Sequence, residues 1–189
     1  MRGMKKSAFE RFLTEHGDRI YGYVFYFLRN REDAQDVTQE VFVKLWEHWP
    51  HITPEGAEAF AMRTAHNKCI DATRRRKTSE SHLSPAQWPE LESIPAPRAA
   101  NVDPELSLEL TETQRAILRA MDSLPARTRG VLLMHYFQGL KHETIGRILG
   151  MKTGTVKVTI HRGRVLLRAA LTRRFPETAV KYSDERTMH

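Results

Sequence analysis

The chain has 189 residues, with 30 Lys/Arg against 23 Asp/Glu, a net charge of +7 and a sequence pI near 9.7. That length holds one or two small domains, and the excess of base points to a polyanionic partner, for which nucleic acid fits better than a membrane surface. One cysteine, Cys69, excludes an internal disulfide and a thiolate-cluster zinc site, and the bland reading is a small buried residue. No secretory leader is evident and no apolar run approaches the ~18 residues of a membrane span, so the expectation is a cytoplasmic protein without membrane insertion.

From Ser7 to Leu28, Phe9, Phe12, Leu13, Ile20, Val24 and Phe27 recur at three- and four-residue intervals and predict an amphipathic helix. A turn at residues 30–32 leads to a second helix over 33–49. Its packing side is Ala34, Val37, Val41, Phe42, Leu45 and Trp49, and its opposite side carries Asp33, Asp36, Glu40 and Glu47. Residues 32–47 hold five acids and one base, a net −4. Two readings stand for this stripe, a solvated helix face or a docking surface for a cationic protein.

Pro50 closes that helix, His51 to Thr53 form a loop, and Thr53 with Pro54 are a cap and first-turn pair for a third helix. Ala57, Ala61, Ala65, Cys69 and Ala72 are its packing side, while Arg63, Asn67, Ile70 and Arg74 line another face. Residues 60–77 carry six bases and one acid, a net +5. This patch is either a cradle for an unstacked strand or a helix end rich in cations. Residues 78–103 break the helical pattern, and five of the nine prolines lie between 85 and 104, which predicts an extended linker.

Asp103 and Pro104 cap a further helix with Leu106, Leu110, Ile117, Leu118 and Met121 facing inward, and VLLMHYF (131–137) follows as a buried brace. Two short helices about a sharp turn then span 141–171. Gly150 supplies the left-handed stop, Thr153 caps the second helix, and Gly146 is the small residue that lets the two cross closely. In the second helix Val156, Ile160, Gly163, Leu167 and Leu171 share one face, and Lys157, His161, Arg164 and Arg168 another. Residues 141–175 hold nine bases and one acid, a net +8. Turn glycine, cap, small residue and one-sided charge together favour a DNA-reading helix-turn-helix over a solvated basic helix.

The fold class expected is all-α, two small helical domains joined by a Pro-rich linker. The boundaries are 5–77 for the first domain, 78–103 for the linker, 104–175 for the helix-turn-helix domain and 176–189 for a mobile tail. No nucleophile-base set, phosphate-binding glycine loop or metal cluster is evident, so no catalysis, no cofactor and no metal are expected; His48 and His51 share a metal-like spacing without a completed ligand set. A stand-alone regulator using the same helix-turn-helix would carry a ligand pocket or dimer seam in its N-terminal half. That half shows an acidic stripe beside a basic helix instead.

Two stretches carry a resemblance. DAQDVTQEVFVKLW followed by FAMRTAHNKCIDATRRRK resembles the second region, and SLPARTRGVLLMHYFQGLKHETIGRILGMKTGTVKVTIHRGRVLLRAAL the fourth region, of bacterial RNA polymerase sigma factors of the extracytoplasmic-function (ECF) subfamily. The likeness spans about Phe9 to Leu171. It implies a factor that binds core RNA polymerase and promoter DNA and directs transcription initiation, with an anti-sigma factor as a further partner.

By that resemblance Asp33, Asp36, Gln39 and Glu40 meet the clamp helices of the largest polymerase subunit, with Phe42 and Trp46 supporting or bordering the contact. His51, Ile52 and Thr53 of the loop, with Arg63, Asn67 and Arg74, take up the melted promoter element. Thr153, Thr155, Lys157, Val158, Thr159, His161, Arg162 and Arg164 read the upstream element as duplex, and an apolar surface around Val131 to Phe137 sits near the polymerase flap. The chain departs from the family pattern in five places. Phe60 and Ala61 stand where Trp-Leu is usual, Thr64 where Ile is, Val158 and Thr159 where Ser-Arg is common, and Gly146 and Gly163 where alanines are usual.

Overall fold

Three helices build the N-terminal unit in a computed structural model that describes residues 2–80 and 112–174: α1 (Arg2–Leu28), α2 (Arg31–His48) and α3 (Pro54–Glu80), with a 3-10 turn at Trp49–His51. The two units of the chain are Met1–Glu109 and Leu110–His189. Among the described residues there is no strand, as the all-α expectation requires. Residues 81–103 of the linker expected over 78–103, the helix start at Asp103 and Pro104 with Leu106 and Leu110, and the tail over 176–189 lie outside the described residues. Residues 78–80 belong to α3, so the first helical domain runs three residues past the boundary set by composition.

All three helices of the first unit pack on one another. Ile20, Tyr23, Val24 and Phe27 of α1, Ala34, Val37, Val41 and Leu45 of α2, and Ala57, Ala61, Met62, Ala65 and Cys69 of α3 are buried. Small residues on α3 let the larger side chains of α1 and α2 fill the space between helices, which is why three short stripes suffice for a core. Tyr23 and His66 bridge α1 and α3 through a buried hydrogen bond between the phenol oxygen and Nδ1, 2.8 Å long. Buried polar groups stay affordable only when paired in this way. Cys69 is fully buried.

Helix α1 ends at Arg29, which adopts left-handed backbone (φ 59°) and donates its N–H to the Phe25 carbonyl at 2.8 Å. Asn30 then caps α2, its Oδ1 accepting from the Asp33 backbone N–H at 2.9 Å. The helix therefore starts at Arg31, two residues before the hydrophobic pattern becomes visible. Glu32 and Asp33 fall in its first turn, where the helix dipole favours acids.

The second unit comprises α4 (Glu112–Met121), α5 (Ala126–Tyr136), α6 (His142–Leu149) and α7 (Thr153–Arg174), with α7 packed on each of the other three. Ala116 and Ala120 of α4 meet Ala170 and Leu171 at the far end of α7, with Ile117 and Leu167 against them. Val131, Leu132, Leu133 and Met134 of α5 are buried, as the brace reading expects. This also corrects the expectation of an apolar outer surface over 131–137: four of its residues face the core, and Tyr136, half exposed, is what α5 shows to solvent there. Arg129 is buried as well, and its guanidinium donates to the Asp122 carboxylate at 3.1 Å. That ion pair ties the first turn of α5 to the end of α4.

Gly150 ends α6 in the left-handed region (φ 67°), and Met151 donates its N–H back to the Gly146 carbonyl at 2.9 Å. Thr153 is the first residue of α7, not its cap. The Lys152 carbonyl accepts the first helical bond, from the Val156 N–H at 3.1 Å, so the cap position falls one residue earlier than the sequence reading placed it. A Cβ at Gly146 would lie 2.7 Å from the Met151 carbonyl oxygen, which leaves no room for the family's usual alanine without moving backbone. Gly146→Ala should therefore lower the melting temperature of the chain, although alanine raises helix propensity by about 1 kcal/mol. Differential scanning calorimetry checks this, and an unchanged or higher transition would show that the turn gives way freely.

Candidate docking face and nucleic-acid interfaces

The exposed side of α2 carries Asp33, Asp36, Gln39, Glu40 and Glu47. Periodicity put the four acids on one side and the resemblance added Gln39, and the α1–α2–α3 core holds that side outward because Val37, Val41 and Leu45 are buried away from it. Asp36, Gln39, Glu40, Val43, Lys44 and Glu47 line a shallow groove, closed on one side by Lys68 of α3.

Four details define this face. Val43, 52% exposed, sits in the middle of the acidic groove. Glu40 pairs with Lys68 across 28 residues of sequence, so part of its charge is already answered within the fold. Phe42 is half-buried and approaches α1 at Gly17, which makes it a support of the α1–α2 contact. Trp46 stays 47% exposed while its ring meets Phe9 edge-on at 4.9 Å. An exposed valine and an exposed tryptophan beside carboxylates form a surface with both apolar contact area and charge, the composition of a protein interface. Val43 was findable only as an apolar residue standing among polar ones on the outer face.

On α3, Arg63, Asn67 and Arg74 are all exposed and lie opposite Ala61, with Ile70 half-buried between them. Arg74 makes an exposed pair with Asp71 at 3.2 Å, and such a pair is easily surrendered to a phosphate. Before the helix, His51 and Thr53 are exposed and Ile52 half-buried, so the loop presents two polar side chains around an apolar one. Lys68, a member of the cationic patch by sequence, is turned to α2 instead.

Helix α7 has a clear division. Val156, Ile160 and Gly163 are buried, Gly163 against Thr128 and Leu132 of α5. Thr155, Lys157, Val158, His161, Arg162, Arg164 and Arg168 are exposed, and Thr153 and Thr159 are half-buried. Among the described residues none of Lys157, Arg162, Arg164 and Arg168 has an ion-pair partner, so their charge is directed to solvent and to whatever binds there. Thr159 donates its hydroxyl to the Thr155 carbonyl at 2.8 Å, which withdraws its hydrogen from any base edge.

Burial raises the phenol pKa values of Tyr21 and Tyr26, against the lowering influence of Arg31 and Arg29 respectively, so both phenols stay neutral. No group of three or more potential metal ligands occurs among the described residues. No described helix is long and apolar enough to cross a membrane.

An all-helical chain with a cationic helix-turn-helix in one unit, and a cationic helix beside an acidic, apolar-studded face in the other, is built as a DNA-binding factor that also grips a protein. Residues 12–79 match Sigma-70 region 2, and residues 110–167 match Sigma-70, region 4. The ECF RNA polymerase sigma factor SigE of Mycolicibacterium smegmatis is 31% identical over 172 residues, covering 91% of this chain and 65% of that protein. The ECF RNA polymerase sigma factor SigW of Bacillus subtilis is 31% identical over 172 residues, covering 88% of this chain and 90% of that one. The chain belongs to the ECF RNA polymerase sigma factor family.

The fold is shared with the sigma factor RpoE in its complex with the anti-sigma factor NepR from Bartonella quintana. The TM-score is 0.64 at 18% identity, over 87% of this chain and 96% of that one. It is also shared with CnrH in complex with the cytosolic domain of CnrY, at a TM-score of 0.63 and 19% identity, over 89% and 90% of the two chains.

If α7 lies along duplex DNA with Arg164 on a phosphate, Arg164→Glu should weaken binding of the polymerase-bound chain to all promoter sequences alike. It should also reduce the slope of log affinity against log salt by about one. Filter binding over a salt series reads both. A changed sequence preference at unchanged slope would assign Arg164 to a base edge instead.

Proposed function

We propose that this chain binds core RNA polymerase in the cytoplasm and directs it to promoters, and that it performs no catalysis itself. The observation that carries the reading is the division of charge within one small helical unit: acids and two exposed apolar residues on α2, exposed Arg63 and Arg74 on α3. A factor that must hold a protein and a nucleic acid at once needs two surfaces of opposite sign that do not neutralise each other. Asp33, Asp36, Gln39 and Glu40 supply the electrostatic half of the polymerase contact. Val43 and Trp46 supply its apolar half, and Phe42 stiffens the helix from behind.

His51, Ile52, Thr53, Arg63, Asn67 and Arg74 hold the melted element next to the start site. Extruding a base costs a few kcal/mol, and a loop with one apolar and two polar side chains can offset that cost by contacts to the flipped base while the arginines hold its phosphates. The helix-turn-helix reads the upstream element as duplex, with Thr155, Lys157, Val158, Thr159, His161 and Arg162 toward the groove and Arg164 toward a phosphate. Thr153, half-buried in the first turn, orients the N-terminal end of the helix. An anti-sigma factor acts by covering these same faces. The solved relatives, in which RpoE is in complex with the anti-sigma factor NepR and CnrH with the cytosolic domain of CnrY, support that partner.

Asp36 is the cleanest probe of the docking face. It is exposed and engages nothing else among the described residues, whereas reversing Glu40 would set two cations together at Lys68 and disturb the α2–α3 contact. Asp36→Lys should reduce affinity for core polymerase by roughly tenfold or more, with unchanged helical content, because a like charge at a complementary interface costs several kcal/mol. Fluorescence anisotropy of labelled chain with core polymerase, alongside circular dichroism, measures this. Full-strength association of the variant would remove α2 from the contact.

A further inference from the structure

Resting on the assignment of α7 to duplex reading, we infer that Val158 is a specificity-determining residue that reads the 5-methyl group of one thymine in the upstream element. Thr155, Val158 and Arg162 are exposed on α7, and Val158, two residues from both Val156 and Ile160, points most directly away from the buried Val156, Ile160 and Gly163. Val158 is 48% exposed, in the half of the helix that enters a major groove in this type of motif. Its side chain can neither donate nor accept a hydrogen bond. Placed against the edge of guanine or adenine it strips water from polar atoms and returns nothing.

Thymine is the base that presents a methyl group in the major groove. A β-branched side chain on a helix is held in one rotamer, so Val158 meets that methyl without losing further freedom. The adjacent Thr159 does not compete for the position, since its hydroxyl is turned back to the Thr155 carbonyl at 2.8 Å. Val165 and Leu166 are also exposed but stand about 10 Å or more farther along the axis, past the turns that enter the groove. Among the exposed apolar side chains of α7, base reading falls to Val158.

The test uses the full chain bound to core polymerase and a pool of duplexes with randomised sequence. The polymerase-bound chain should enrich sequences with thymine fixed at one upstream position, and Val158→Ala should lose enrichment at that position alone. On a single enriched duplex, deoxyuridine in place of that thymine removes only the methyl. It should weaken the wild-type complex about fourfold, the loss expected for one buried methyl-sized group. The same replacement should leave the Val158→Ala complex unchanged.

Tolerance of deoxyuridine by the wild type at every enriched thymine would overturn the assignment. Equal weakening of Val158→Ala on all sequences would overturn it too, since that marks a general contact. If the polymerase-bound chain enriches no sequence at all, the duplex-reading role of α7 falls first, and the role of Val158 falls with it.

Discussion

Between the Gly146 α-carbon and the Met151 carbonyl there is no room for a methyl group, and that close approach decides which way α7 faces. A left-handed Gly150 turns the chain, the Met151 N–H locks the turn onto the Gly146 carbonyl, and α7 leaves at an angle that buries Val156, Ile160 and Gly163. Everything exposed on α7 follows from that one crossing. Val158 and Arg162 come to face outward, with Lys157, Arg164 and Arg168 on the flank, because the packing stripe has nowhere else to go. A rotation of α7 by one residue, about 100°, would bury polar residues and expose the stripe, so packing and DNA reading are set by the same contact.

The N-terminal unit solves a different problem with the same means. Its core takes small residues from α3 and large ones from α1 and α2, which leaves both charged faces on the outside and on different helices. Where the two charge patterns do meet, Lys68 crosses to Glu40, and the buried Tyr23–His66 hydrogen bond pins α1 to α3. The ion pair limits how much of the acidic stripe is open to a partner. Asp36 and Glu47 remain open, with Val43 and Trp46 beside them.

Much of this was legible in the sequence because it is local. The helical stripes of α1, α2 and α3, the glycine stop at 150 and the need for a small residue at 146 all follow from spacing within a few residues. What was not legible depends on contacts between distant positions or on single caps. Asn30 begins α2 earlier than its apolar residues suggest, and Lys152 rather than Thr153 caps α7, since capping is a choice among neighbouring polar residues that periodicity does not see. Glu40 met Lys68, and Asp122 met Arg129, only once the helices had packed. The apolar run over 131–137 predicted a buried brace while the resemblance put an apolar surface there, and residues 131–134 go to the core. The apparent break in the helical pattern at 78 placed the end of α3 three residues early because the helix outlasts its packing stripe.

The central claim is that this chain gives core polymerase a promoter preference it otherwise lacks. The most direct measurement is run-off transcription from a library of genomic fragments, with core polymerase alone and with the chain added. The account predicts start sites that appear only with the chain and that share an upstream element at a constant distance from the start. Binding of the isolated chain to closed duplex without any new start site would contradict it and would make the protein a regulator that works apart from polymerase.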